Sequence, residues 1–130
     1  MAEEKIHIDI LTLDSVQCAA CGYMTESIAA LPTDVQAMIE YTEWSIKQKA
    51  GIGKFLELKG RVLPTICIER DLVFESIIPQ YEELIDEMAK RAPSPAMSER
   101  IKSLREVGFE FDKIEENLRK AGAGLRTRVD

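Results

Sequence analysis

The sequence predicts an α/β fold, and three observations carry that prediction. A run near the start alternates apolar with polar residues, later segments space their apolar residues as helices do, and short β-branched runs lie between those segments. Pro and Gly punctuate the joins, as they do where one element must stop before the next begins. A chain of 130 residues, 45% hydrophobic and 31% charged, has enough apolar side chain for one compact core with an appendage.

The first element is a strand over residues 5–13, where Ile6, Ile8 and Ile10 alternate with His7 and Asp9 before Leu11 and Leu13 make both sides apolar. Residues 14–17 form a short connection. A helix follows from residue 19 to about 30, with Met24, Ile28 and Leu31 at near-helical spacing, and Pro32 ends it because proline donates no helical hydrogen bond and disfavours helical geometry in Leu31. Partial alternation of Ile39, Tyr41 and Glu43 suggests a second strand over residues 36–44. Ile46, Ala50, Phe55 and Leu58 then suggest a helix over residues 45–58, in which Gly51 and Gly53 each cost about 1 kcal/mol relative to Ala.

The β-branched run 65–68 predicts a third strand with Pro64 at its opening, where a missing donor is tolerated. A link of Glu69, Arg70 and Asp71 joins it to a fourth strand over 72–76, the pair forming a hairpin. Pro79 opens the next helix, whose stripe is Tyr81, Leu84, Ile85 and Met88. Ala92-Pro93-Ser94-Pro95 marks a boundary between residues 1–92 and residues 93–130. Beyond it, Ser98 is expected to cap a short helix carrying Ile101, Leu104 and Val107, with Gly108 as its stop. A second helix over 109–121 completes a helical hairpin, and residues 124–130 make a mobile basic tail.

The chemistry gathers at Cys18-Ala19-Ala20-Cys21, between the first strand and the first helix. Unpaired N–H groups and the positive end of the helix dipole favour a thiolate there, so Cys18 is the candidate nucleophile. Cys21, one turn on, is placed to attack a mixed disulfide formed by Cys18 and is the candidate resolving thiol. The same spacing also supplies two legs of a zinc site, for which only Cys67 and His7 remain as soft ligands; no metal is expected. Cys67, in a buried-looking strand, is expected to pack in the core, and His7 to be a hydrogen-bonded structural residue.

The order strand, CxxC, helix, strand, helix, then Leu63-Pro64-Thr65 opening a strand, strand, helix resembles the thioredoxin-like superfamily, in its minimal thioredoxin or glutaredoxin-like group. The resemblance covers residues 5–91. It implies a thioredoxin-like domain over 1–92, with a mixed four-stranded sheet flanked by helices, and leaves 93–130 as a Pro-linked helical hairpin extension. It further implies a cis Pro64 facing the cysteine pair, Leu63 and Thr65 beside it in substrate binding, and Tyr23 either bordering the site or serving as a half-buried helix residue. The chain has Gln17 and Ala19-Ala20 where the familiar thioredoxin has Trp and Gly-Pro.

The function these readings imply is that of a small thiol–disulfide oxidoreductase with no cofactor. Its partners would be a protein or small-molecule disulfide and a separate reductant, such as a flavin reductase, glutathione or another dithiol. The competing expectation is an interaction module whose C-terminal helices bind a partner or form a homodimer through residues 96–121, with the cysteines as a redox switch or vestige. A net charge of −6, from 17 Lys/Arg and 23 Asp/Glu, disfavours nucleic acid and anionic membrane. That charge is uneven: residues 1–92 hold 9 basic and 16 acidic residues, net −7, and residues 93–130 hold 8 and 7, net +1. Three cysteines are a poor structural disulfide framework, and with no long apolar run or apolar leader the expected location is the cytoplasm.

Overall fold

A computed structural model describes residues 4–14 and 18–120 of the chain. The first strand, β1 (Ile6–Thr12), is followed by α1 (Ala19–Ala29), a one-turn helix α2 (Thr33–Gln36) and β2 (Ile39–Ser45). Then come α3 (Lys49–Glu57), β3 (Thr65–Ile68), β4 (Asp71–Glu75) and α4 (Tyr81–Lys90). The segment after Pro93 contributes α5 (Pro95–Lys102), a 3₁₀ turn (Phe111–Lys113) and α6 (Ile114–Lys120).

The fold is α/β, with one four-stranded mixed sheet in the order β2-β1-β3-β4. β1 and β2 are parallel and in register from Ile6–Ile39 to Thr12–Ser45. β3 runs antiparallel to β1, Leu11 opposite Thr65 and Ile8 opposite Ile68, and β4 runs antiparallel to β3. A bulge at Val73 separates the Ile66–Phe74 pair from the Cys67–Leu72 pair. Because side chains alternate along a strand, this register sorts the residues onto two faces. Ile6, Ile8, Ile10, Ile39, Tyr41, Ile66 and Ile68 face one core, which takes Met24 and Ile28 from α1 and Leu84, Ile85 and Met88 from α4. Leu11 and Cys67 face a smaller core closed by Leu58, with Trp44, Phe55, Leu63 and Leu72 at its border.

The segment after Pro93 contributes to the larger core. Met97 and Ile101 are buried in it, and Leu104, Phe109 and Leu118 pack against it. Polar ties reinforce the docking: the Tyr81 hydroxyl donates to the Leu104 carbonyl, and the Arg105 guanidinium meets the Asp86 carboxylate at 2.8 Å and 3.0 Å. Arg105 therefore holds the Asp86 carboxyl below its ordinary value through that hydrogen bond.

Several local expectations need correction, each for a backbone reason. Residues 33–36 are helical, with the Ala37 N–H donating to Thr33 O and the Met38 N–H to Val35 O, so β2 begins only at Ile39. The helix expected over 45–58 begins at Lys49, because Ser45 still pairs with Thr12 and the Ile46 N–H donates to the Thr12 carbonyl. Gly51 is required at its position: a Cβ there would overlap the Ser45 carbonyl oxygen, whereas one on Gly53 would meet nothing within 4 Å. The β3–β4 link is the two-residue turn Glu69-Arg70, both left-handed at φ 50° and 73°, and Asp71 already belongs to β4.

Pro79 precedes α4, whose cap is Gln80; the Glu83 carboxylate accepts from the Gln80 N–H at 2.9 Å. Ser94 caps α5 by accepting from the Met97 N–H, with Pro95 as the first helical residue, and the Ser98 hydroxyl instead donates to the Ala89 carbonyl. Leu104 and Val107 lie in turns beyond the end of α5. The last helix starts at Ile114 after the 3₁₀ turn. The expected mobile tail, residues 124–130, lies outside the described residues. Among the described residues no helix is long and apolar enough to cross a membrane.

Candidate functional site

β1 delivers the chain to the cysteine pair at one end of the sheet. After Thr12, the Asp14 carbonyl accepts from the Cys18 N–H at 2.7 Å, which turns the backbone into α1. Cys18 is the N-cap, extended at φ −100° and ψ 106°, and its Sγ accepts from the Cys21 N–H at 3.2 Å. A sulfur thus occupies the place usually held by a Ser or Asp oxygen, against the unpaired N–H groups of a helix start. The Cys18 and Cys21 sulfurs are at disulfide distance, with Cα atoms 5.2 Å apart. Their exposure differs sharply. Cys18 is partly exposed, Ala19 and Ala20 are exposed, and Cys21 is fully buried. Cys18 is therefore the sulfur of the pair that faces solvent, and Cys21 the one that is withdrawn from it.

Pro64 reaches the same end of the sheet by register. Leu11 pairs with Thr65, so the antiparallel step places Pro64 opposite Thr12, next to where β1 leaves for the cysteines. The Leu63–Pro64 peptide is cis, as the resemblance implies, and Pro64 is buried with its carbonyl accepting from the Ser76 N–H at 2.7 Å. Thr65 is buried, its hydroxyl donating to the Val62 carbonyl, and Leu63 is half-buried against the smaller core. Arg61 pairs with Glu75 through two hydrogen bonds, tying this loop to β4. Apolar side chains are exposed on the chain segments that converge on this end: Leu13, Val62, Ile77 and Ile78.

No family model, curated protein or solved structure matches the chain.

The other predicted residues differ in exposure and surroundings. Tyr23 is 62% exposed on α1, which removes the half-buried alternative. Cys67 is buried beside Leu11 and Leu58 on the face away from Cys21, and burial, then Asp9 and Glu75, pushes its thiol up to about 12. His7 is exposed, its Nδ1 3.1 Å from the Glu40 carboxylate. Among the described residues no group of three or more His, Cys, Asp or Glu side chains is placed to hold a metal ion.

Clefts occur away from the cysteines. One of about 630 Å³ runs along β2 past His7, Glu40 and Thr42, and another of about 680 Å³ lies between α4 and α5. Exchange at an accessible sulfur needs a surface and not a deep pocket, because the attacking atom is already at the boundary. One feature of the cysteine end has no counterpart among the predicted residues: Glu43, only 5% exposed, accepts from the Thr12 hydroxyl at 2.9 Å. The period-two run Ile39, Tyr41, Glu43, Ser45 signals that burial, since the first two residues face the core.

Proposed function

We propose that this chain is a thiol–disulfide oxidoreductase of thioredoxin-like type, carrying electrons on Cys18 and Cys21. The observation that carries the reading is a cysteine pair at disulfide distance on the first turn of α1, the outer sulfur capping the helix and the inner one buried. The element order, the β2-β1-β3-β4 sheet and the arrival of Leu63, Pro64 and Thr65 at the same end support it.

In the reduced protein, the Cys18 thiolate attacks a substrate disulfide R–S–S–R′. A Cys18–S–S–R bond forms and R′ leaves as a thiolate, which takes a proton from water. Cys21 then loses its proton and attacks the Cys18 sulfur; the Cys18–Cys21 bond forms and R leaves as the second thiolate. Two electrons pass from the dithiol to the substrate. Helix N–H groups favour the Cys18 thiolate in the first step, and the second is fast because both sulfurs lie on one helical turn. An external dithiol restores the pair in a reducing compartment such as the cytoplasm. A substrate would lie across Leu63, Pro64 and Thr65, with Tyr23 at its margin.

The test offers insulin to the protein with dithiothreitol as reductant. Catalysed precipitation of the insulin B chain is expected, and its loss in Cys18→Ser. No acceleration by the wild type, or an unchanged rate in the variant, contradicts the proposal. Homodimerisation through residues 96–121 would cover Val107 and Phe111, which are 51% and 67% exposed; sedimentation of Phe111→Glu against wild type decides it.

A further inference from the structure

We propose that the outer face of α3 docks an acidic, leucine-bearing segment of the proteins with which Cys18 exchanges disulfides, an inference that rests on the exchange reaction above. Charge is segregated along the chain. Residues 46–62 hold five basic residues and one acidic, net +4, whereas the remainder of residues 1–92 holds four and fifteen, net −11. Most cations of an acidic region thus gather on α3 and its two flanks.

The same helix leaves its outer face apolar. At about 100° per residue, Lys49, Ile52, Gly53 and Leu56 fall within one arc of about 100°, on the side away from Gly51, Phe55 and Leu58. Those last three face inward, Gly51 against the Ser45 carbonyl and the other two on the smaller core. Ile52 is 48% exposed, and Leu56, at 68%, is the most exposed large apolar side chain among the described residues. Gly53 lies beside them. Glycine weakens a helix, and no contact within the chain requires it here, since a Cβ would meet nothing within 4 Å. A bare backbone at that point lets another chain approach closely.

The cations of this face are available to a partner. Glu57, its one acidic residue, is already held by Lys54 at 3.4 Å and by Arg70 at 2.9 Å. Lys49 and Lys59 are exposed and pair with no acidic side chain among the described residues. Two free ammonium groups and two bare aliphatic side chains on one stripe complement carboxylates interleaved with leucines.

Contacts tie the start of α3 to the cysteine loop. Ser45 pairs with Thr12, the Ile46 N–H donates to the Thr12 carbonyl, and Lys47 Nζ lies 3.7 Å from the Asp14 carboxylate. The Asp14 carbonyl accepts from the Cys18 N–H, and α3 begins two residues beyond Lys47. A polypeptide engaged at Cys18 can therefore continue along the stripe, which spans about 10 Å from Lys49 to Leu56. So small a contact suits the transient encounters of electron-transfer proteins. A flat anionic bilayer would meet the acidic remainder of the domain as well, which disfavours a membrane as the occupant.

Two synthetic peptides test the docking. Each carries one cysteine as its 2-thiopyridyl disulfide; beyond it, one peptide repeats Glu and Leu, and the other has Lys in place of every Glu. Attack by the Cys18 thiolate forms the Cys18–peptide disulfide and releases pyridine-2-thione, whose absorbance gives the rate in stopped flow. At 0.01 M salt the acidic peptide should react at least about fivefold faster with the reduced protein, and the advantage should fall below about twofold at 1 M, where the Debye length drops from about 30 Å to about 3 Å. The net charge of −6 alone predicts the opposite order. Lys49→Glu combined with Lys59→Glu should reverse the preference, and Leu56→Ser should slow both peptides about threefold at every salt concentration. The small uncharged reagent 2,2′-dipyridyl disulfide should react equally with all these variants. Arg100→Glu, which alters an exposed cation on α5, should leave the peptide preference unchanged.

An acidic peptide no faster than the basic one overturns the inference, as does a preference that survives reversal of Lys49 and Lys59. Binding of the wild type to phosphatidylglycerol vesicles that is lost in the double variant, with no preference between peptides, overturns it in favour of a membrane. Failure of 2,2′-dipyridyl disulfide to react at Cys18 removes the exchange reading itself, and the inference with it. A variant whose rate with that reagent has changed is distorted; the wild-type salt dependence then decides, overturning the inference if salt does not slow the acidic peptide.

Discussion

Cys21 and Cys67 are buried equally, each at 0% exposure, on opposite sides of the same sheet, yet Cys21 is at disulfide distance from Cys18 and Cys67 is a free thiol. Cys21 sits in the first turn of a helix with its sulfur at bonding distance from a partly exposed partner. Cys67 sits in mid-strand between Leu11 and Leu58, with burial and nearby carboxylates holding its proton on. Burial alone therefore does not decide whether a thiol reacts. What decides is whether backbone and partner sulfur are arranged to accept its charge or its bond.

The largest effect that would break this contrast is on exchange itself. Cys18→Ser should abolish turnover of a disulfide reporter, and Cys67→Ala should leave turnover within about twofold while lowering stability by about 1 kcal/mol. A Cys67→Ala variant that lost activity would show that the two sides are coupled.

Next is the wall that shields Cys67. Gly51→Ala forces a Cβ onto the Ser45 carbonyl oxygen, displaces α3 from β2 and should cost about 3 kcal/mol, while Gly53→Ala should gain up to about 1 kcal/mol through helix propensity. Urea denaturation measures both, and alkylation of Cys67 should quicken in the first variant only. Equal effects at the two glycines would contradict the packing described here.

On the Cys21 side, the far end of α1 is held by the C-terminal segment. Asn117 donates to the Ala29 carbonyl at 2.7 Å and the Glu110 N–H donates to the Ala30 carbonyl. Asn117→Ala should cost about 1–3 kcal/mol by leaving a buried carbonyl short of a donor. Urea unfolding of the variant against wild type would show it; no loss would mean that α6 does not support α1.

The last effect is absent at neutral pH and appears only in alkaline solution. Cys67 keeps its proton to about 12 when folded, against an ordinary value of 9.0, so above pH 9 the unfolded chain loses that proton first. The unfolded state then binds fewer protons, and stability must fall as pH rises from about 9 towards about 12, by at most about 1.4 kcal/mol per unit. The difference between wild type and Cys67→Ala isolates this contribution. A difference that does not change over that range would mean that Cys67 is solvated.

Most of the elements and the cysteine pair were legible because they rest on local patterns: alternation in residues 6–10, helical spacing after Cys21, and Pro64 before a β-branched run. Element boundaries were not. Ser45 to Gln48 looked helical but is held by hydrogen bonds to β1, a long-range tie that no local pattern carries. Gly51 looked like a weak point until its contact with Ser45 appeared. Glu43 was visible only as an imperfection in an alternating strand, and the face it occupies depends on pairing with β1. The docking of Met97, Ile101 and Leu118 was likewise hidden, since an amphipathic stripe does not name the surface it covers.

The most direct test of the central claim is acid-quenched thiol trapping of the intact protein across a graded series of redox buffers. The account predicts that Cys18 and Cys21 oxidise and reduce together as one reversible two-electron couple, while Cys67 remains a free thiol throughout. A Cys18–Cys21 pair that never cycles, or a disulfide that recruits Cys67, would contradict it.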